Sequence, residues 1–178
     1  FVTDVSPAVV FNDSIYVMCG SSVYNTTDGI SWNTLTAGAP CGNFNGRSSV
    51  VYDEKIWVFA GTEVSPLAEV WNSANGIDWN CVTKNAAFGR KCLGSGFVQN
   101  GKMRYFGGKS YWSETPSNRL WETTNGSDWN ECYVSSDVKR RYAAGVCVTD
   151  DGDAFISCGA DYSGSTIYSW PDVWKVLN

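Results

Sequence analysis

The chain contains no histidine. That absence removes the Ser-His-Asp and Cys-His arrangements of nucleophilic catalysis, and it removes histidine-ligated zinc, copper and haem. Any chemistry would fall to carboxylates, Tyr, Lys, Ser or Cys. Charge is scarce too. Only 17% of the 178 residues are Asp, Glu, Lys or Arg, which argues against a charged disordered tail or a coiled coil. No apolar run approaches the roughly 18 residues of a membrane-spanning helix. No basic, apolar leader opens the sequence, so a signal peptide is expected to be absent or already removed. Basic excess is lacking as well: the net charge of −5 disfavours nucleic acid as a partner. What is abundant is apolar and aromatic. Hydrophobic residues make up 43%, aromatics 15%, and there are nine Trp. The length suits one domain, residues 1–178, with a sizeable core.

The sequence repeats itself. Four apolar runs end in glycine: SIYVMCG at Gly20, KIWVFAG at Gly61, KMRYFGG at Gly108 and DAFISCG at Gly159. An aromatic anchor follows each, at Tyr24, Trp71, Trp121 and Trp174. Three anchors lead into near-identical segments, VYNTTDGISWN, VWNSANGIDWN and LWETTNGSDWN, whose second tryptophans are Trp32, Trp79 and Trp129. Each unit reads as four short strands, a to d. Strands a and b meet at Asn12-Asp13, Asp53-Glu54, Asn100-Gly101 and Asp151-Gly152. Strands c and d are expected to meet in tight type I′ turns at Asp28-Gly29, Asn75-Gly76 and Asn125-Gly126, pairs that accept positive φ. No segment carries helical periodicity with caps. The chain is expected to be all-β.

Four-stranded units of this length are the signature of propeller blades. The sequence resembles the kelch-like β-propeller family, which includes propellers such as the central domain of galactose oxidase. The resemblance covers nearly the whole chain. It rests on Gly107-Gly108 after strand b, on the anchor Trp, and on basic residues before strand a at Arg47, Arg90 and Arg140-Arg141. It implies about four blades, with units near 7–47, 48–90, 91–141 and 142–178. The last unit ends after strand c, and residues 1–6 are expected to close the ring by supplying its strand d. A copper radical site of the galactose oxidase kind needs histidine and is not carried over.

Seven cysteines are present without a C-x-x-C motif, which argues against a zinc ribbon or thioredoxin-type site. Their usage leaves open both disulfides, of unassigned pairing, and buried free thiols. Three N-x-S/T sequons, at Asn12, Asn25 and Asn125, are candidate glycosylation sites. With the cysteines and low charge they point to a secreted, extracellular protein.

Function is expected on the face that carries the b–c and d–a loops, since long loops over a rigid scaffold usually carry it. Seven Trp lie in repeat register and read as blade packing. Trp112 and Trp170 do not; they fall in the two longest b–c loops, beside Tyr111, Tyr162 and Tyr168. Tyr111, Trp112, Tyr168 and Trp170 are therefore the candidate contacts for a protein or glycan ligand, with Lys109 and Arg119 at the rim. The arginines before strand a could bind carboxylate or sulfate, but their recurrence favours bonds to backbone carbonyls. Glu114 and Asp161 form the one nominated carboxylate pair for a glycosidase. The DG-x-S-W and NG-x-D-W runs are similar to the Asp-box turns of sialidase-like propellers, but lack one residue and read as hairpins. The expectation is a non-catalytic binding propeller that needs no metal or cofactor. Alternatives are a subunit of an extracellular assembly or fibre, including a homo-oligomer, and a carbohydrate-active enzyme.

Overall fold

The computed structural model describes residues 6–62, 67–110, 115–163 and 166–177. Alternating apolar residues pair into antiparallel sheets, and no helix occurs among the described residues. Blade 1 holds β1 (Ala8–Phe11), β2 (Ser14–Cys19), β3 (Ser22–Thr26) and β4 (Asn33–Thr36). Blade 2 holds β5 (Ser48–Tyr52), β6 (Lys55–Phe59), β7 (Val70–Ser73) and β8 (Asn80–Thr83). Blade 3 holds β9 (Cys92–Gln99), β10 (Lys102–Lys109), β11 (Leu120–Thr123) and β12 (Asn130–Cys132). Blade 4 has three strands among the described residues: β13 (Gly145–Val148), β14 (Ala154–Ser157) and β17 (Val173–Val176). Between β14 and β17, in the segment expected to be a b–c loop, the chain adds a hairpin of β15 (Ala160–Ser163) and β16 (Thr166–Ser169). The four sheets form a four-bladed β-propeller. The expected strand exchange falls on residues 1–6, of which 1–5 lie outside the described residues.

The pleat sorts side chains between neighbouring blades. Along β6, Ile56 and Val58 pack with Tyr16 and Met18 of blade 1, while Trp57 and Phe59 pack with Met103 and Tyr105 of blade 3. Phe97 and Phe106 of blade 3 meet Ala154 and Ile156 of blade 4 in the same way. Each fully buried large apolar side chain contributes about 1.5–3 kcal/mol relative to exposure. Strand β10 is buried along most of its length because blades cover both of its faces.

The innermost strands of all four blades surround an axial cavity of about 390 Å³, lined mainly by small residues including Ala8, Ser48, Gly94, Gly96 and Ala144. Backbone bonds stitch the blades around it. Leu93 N donates to Gly46 O at 2.8 Å, and Ala143 N donates to Leu93 O at 2.7 Å. Gly46, Leu93 and Ala143 all hold positive φ, a conformation that costs Leu and Ala about 1–2 kcal/mol and is held here by those bonds.

The a–b turns match expectation in three blades. Both central residues of Asn12-Asp13, Asp53-Glu54 and Asn100-Gly101 have positive φ. The fourth does not: Gly152 alone turns left-handed, in a wider loop closed by Gly152 N donating to Thr149 O at 2.9 Å.

The c–d connections correct the type I′ expectation. Only the glycine has positive φ, and the loop spans six residues between β3 and β4. Side chains build it. In blade 3, Thr123 Oγ1 accepts from Asn125 N and Gly126 N, and Asn125 Oδ1 accepts from Ser127 N and Asp128 N. Ser73 with Asn75, and Thr26 with Asp28, repeat this in blades 2 and 1. The backbone donors of Ile30 and Ser31 hold the Asp28 carboxyl at about 2, well below its ordinary value. The indole N–H of Trp79 and of Trp129 donates to Gly76 O and Gly126 O, at 3.2 and 2.9 Å.

Candidate functional site

Two of the arginines before strand a have structural partners. Arg47 donates to the carbonyls of Asn43, Cys41 and Ala60 and meets Glu69 at 3.4 Å. Arg141, fully buried, donates to Cys158 O and takes both oxygens of Asp172. Glu69 and Asp172 stand two residues before the anchor Trp of their blades, and each accepts its indole N–H. So blades 2 and 4 share one lock: arginine, carboxylate, tryptophan. These carbonyls and acids belong to the arginine's own loop and to the blade it leads into, not to the neighbouring blade's binding face.

Blade 3 inverts the pattern. Arg119 occupies the place that Glu69 and Asp172 hold, and it is exposed. Beside it opens a cleft of about 400 Å³ between the b–c loop of blade 3 and the flanking d–a loops. Lys91, Arg119 and Arg140 supply three cations, and no carboxylate lines it among the described residues. Phe88 and Trp121 give it an aromatic side, and Ser117 and Asn118 add polar groups.

Backbone contacts fix these groups in place. Ser117 N donates to Gly108 O at 2.8 Å, Arg141 N donates to Ser117 O at 3.0 Å, and Gly107 N donates to Arg119 O at 3.0 Å. Gly61 N donates to Lys91 O at 2.7 Å. Phe88 is pinned from below by Tyr105 and Trp129, with ring centroids 4.9 and 5.0 Å away. Burial, then the nearby Arg119 charge, push the Lys91 ammonium below its ordinary pKa. Arg119 also pairs with Glu131 at 3.1 Å, both partly exposed. Such a surface pair is worth only about 0–1 kcal/mol, so an anion in the cleft can compete for the guanidinium.

The aromatic candidates divide. Tyr111, Trp112 and Glu114 lie outside the described residues. Tyr168, on β16, is exposed. It pairs across the hairpin with Asp161, whose carboxylate accepts the adjacent Tyr162 N–H at 2.7 Å. Trp170 is half-buried, and its indole N–H is enclosed with no acceptor among the described residues. Lys109 sits over a stacked pair, Tyr142 and Tyr162, at 4.9 and 5.5 Å from the ring centroids. Thus Arg119 marks the cleft and Lys109 marks a second cluster beside the hairpin. The reading of the sequence missed Lys91. The available signal was the charge reversal at Arg119 against Glu69 and Asp172.

Of the sequon asparagines, Asn12 is exposed at a turn and Asn25 is half-buried within β3. Asn125 is exposed, with its amide already donating to Asp128 at 2.7 Å. All seven cysteines are free thiols in the structure, so no disulfide framework is formed in it. Burial raises the Cys41 thiol to about 11.

No protein-family model and no curated protein matches the sequence. The fold does match: 218 chains of solved structures resemble it. The structure of YjhT superposes with a TM-score of 0.71 at 16% sequence identity, over 98% of this chain. This chain spans 64% of that chain's length. At such identity the likeness shows the fold alone. The class that fold and loops define is a β-propeller whose loop-bearing face carries a basic, aromatic-sided cleft.

Proposed function

We propose that the chain is a secreted, non-catalytic kelch-like propeller that binds an anionic group, carboxylate or sulfate, carried on a glycan or protein ligand. The observation that carries this reading is the cleft of Lys91, Arg119 and Arg140, with no carboxylate in its lining among the described residues, at the blade where the repeat's structural acid is replaced by a base. Guanidinium groups bind planar oxyanions with paired, charge-assisted bonds, and the adjoining aromatic surface favours a ring or an apolar flank. The cleft's size suits a small ligand group. Exposed Tyr168, and Lys109 over the Tyr142 and Tyr162 rings, extend the contact in this reading, with Tyr111 and Trp112 as further candidates from the sequence alone.

A binding screen of neutral, carboxylated and sulfated glycans together with acidic peptides tests it. Wild-type protein should retain anionic members and ignore neutral ones, and the Arg119→Ala, Arg140→Ala double variant should lose them. Equal retention of neutral and anionic members, or of wild type and variant, would reject it.

A further inference from the structure

Blade 3 keeps the backbone of the arginine, carboxylate and tryptophan lock but not its carboxylate. Lys91 N donates to Leu67 O at 3.3 Å, and Lys91 O accepts from Gly61 N at 2.7 Å. Arg141 makes the same two bonds one blade further on, to Ser117 O and from Gly108 N, both at 3.0 Å. Lys91 therefore stands at the entry to blade 3 where Arg141 stands at the entry to blade 4. Arg141 binds Asp172 there, and Asp172 holds the Trp174 indole N–H. The corresponding three residues in blade 3 are Lys91, Arg119 and Trp121, and all three line the cleft. Two cations thus meet where the other lock holds an ion pair, and the Arg119 charge adds to the lowering of the Lys91 pKa.

The tryptophan feels the exchange as well. The indole N–H groups of Trp71 and Trp174 are each held by the acid two residues earlier, at 2.9 and 2.7 Å. That of Trp121 has no acceptor among the described residues. Glu131, opposite Trp121 on β12, meets Arg119 but makes no bond to the indole. The other blades define the group that fits. Glu69 and Asp172 differ by one methylene and both complete the lock, so the position takes a carboxylate on a stem of one or two methylenes. In blade 4, Asp172 Oδ2 accepts from guanidinium and indole together, while Oδ1 accepts from the guanidinium.

We propose that the cleft takes the acidic side chain, Glu or Asp, of a peptide partner, whose carboxylate completes the blade 3 lock between Lys91, Arg119 and the Trp121 indole N–H. The proposal rests on the anion-binding reading above and adds to it the group bound, its place and a third donor. The two cations attract any anion, whereas the indole N–H is a single directed donor that fixes one oxygen. Trp121 is therefore the specificity-determining residue of the cleft. A sugar acid carries its carboxylate directly on the ring, without the methylene stem of Glu69 and Asp172, so an acidic side chain is the closer match. The Arg119 pair with Glu131 is partly exposed and yields to a carboxylate that also engages Lys91 and Trp121.

The test is a titration at low salt followed by NMR of the indole N–H resonances, with Trp121 assigned by the signal missing from Trp121→Phe. The probes are a capped Ala-Glu-Ala peptide, its Ala-Gln-Ala match and glucuronate. The Glu peptide should move the Trp121 indole proton downfield, and it should bind Trp121→Phe about tenfold more weakly, the scale of one hydrogen bond to a charged group. The Gln peptide should bind wild type at least about tenfold more weakly than the Glu peptide. Arg119→Glu, without ligand, should melt above wild type and show the Trp121 proton shifted as in the complex, because the new carboxylate fills the lock from within. Arg119→Ala should do neither. A Trp121 resonance unmoved by the Glu peptide or by Arg119→Glu overturns the lock, as does equal affinity of wild type and Trp121→Phe; anion binding by the cations would then stand without it. Tighter binding of glucuronate or of the Gln peptide than of the Glu peptide overturns the acidic side chain as occupant. A wild type that binds none of the probes overturns the anion site and this proposal together.

Discussion

The guanidinium of Arg141 holds the carboxylate of Asp172 through two parallel bonds, of 2.5 and 2.9 Å. The same carboxylate accepts the Trp174 indole N–H at 2.7 Å. One residue pair thereby ties the loop before blade 4 to its strand c. Those bonds, the Arg141 one first, hold the Asp172 carboxyl at about 2. An acid whose folded pKa is depressed stabilises the fold above its unfolded pKa. That stabilisation is lost as pH falls through the folded value. The window here runs from about pH 4 down to about pH 2.

Asp172→Asn should destabilise the protein by about 3 kcal/mol, because it leaves a buried guanidinium without its counter-charge. Urea titrations at neutral pH would show this as a lower midpoint. The variant should also show a shallower loss of stability between pH 4 and 2 than wild type. Arg141→Lys, with Asp172 intact, should also lower the midpoint, since one ammonium cannot make both bonds.

Gly126→Ala should cost more than Gly29→Ala. Both residues have positive φ, which carries a penalty of about 1 kcal/mol for alanine. At Gly126 the new methyl also meets the Trp57 ring, while at Gly29 it meets nothing within 4 Å. The added strain should be about 1–3 kcal/mol. Equal midpoints for the two variants in urea would contradict the packing described here.

Thr123→Ala should destabilise by about 1–3 kcal/mol, because the buried Gly126 N–H loses the hydroxyl that accepts it. Thr123→Ser should recover most of that loss, as Ser73 plays the same part in blade 2. Thermal denaturation of the two variants beside wild type checks both statements.

The repeat was legible because every blade must bury the same positions. The alternation along KIWVFAG and the Trp32, Trp79, Trp129 spacing follow directly from sheet pleat and blade stacking. The c–d turns were misread because Asp-Gly and Asn-Gly favour type I′ only where no side chain competes. Here Thr26, Ser73 and Thr123 bond the backbone instead. The β15–β16 hairpin was hidden because Ala160–Ser163 and Thr166–Ser169 lack the strong apolar alternation of blade strands. At the site, Arg119 was visible as a rim charge. Lys91 was not, because it comes to the cleft through the fold: its backbone caps blade 2 while its side chain lines blade 3's opening.

The most direct test of the binding account is an equilibrium titration of a sulfated or carboxylated ligand from the screen against wild type and Arg119→Ala, at low salt and at about 0.5 M salt. Saturable binding should weaken about tenfold or more in the variant, the scale of one lost charge-assisted bond, and should weaken with salt. Affinity that neither the variant nor salt changes would contradict an anion site in the cleft.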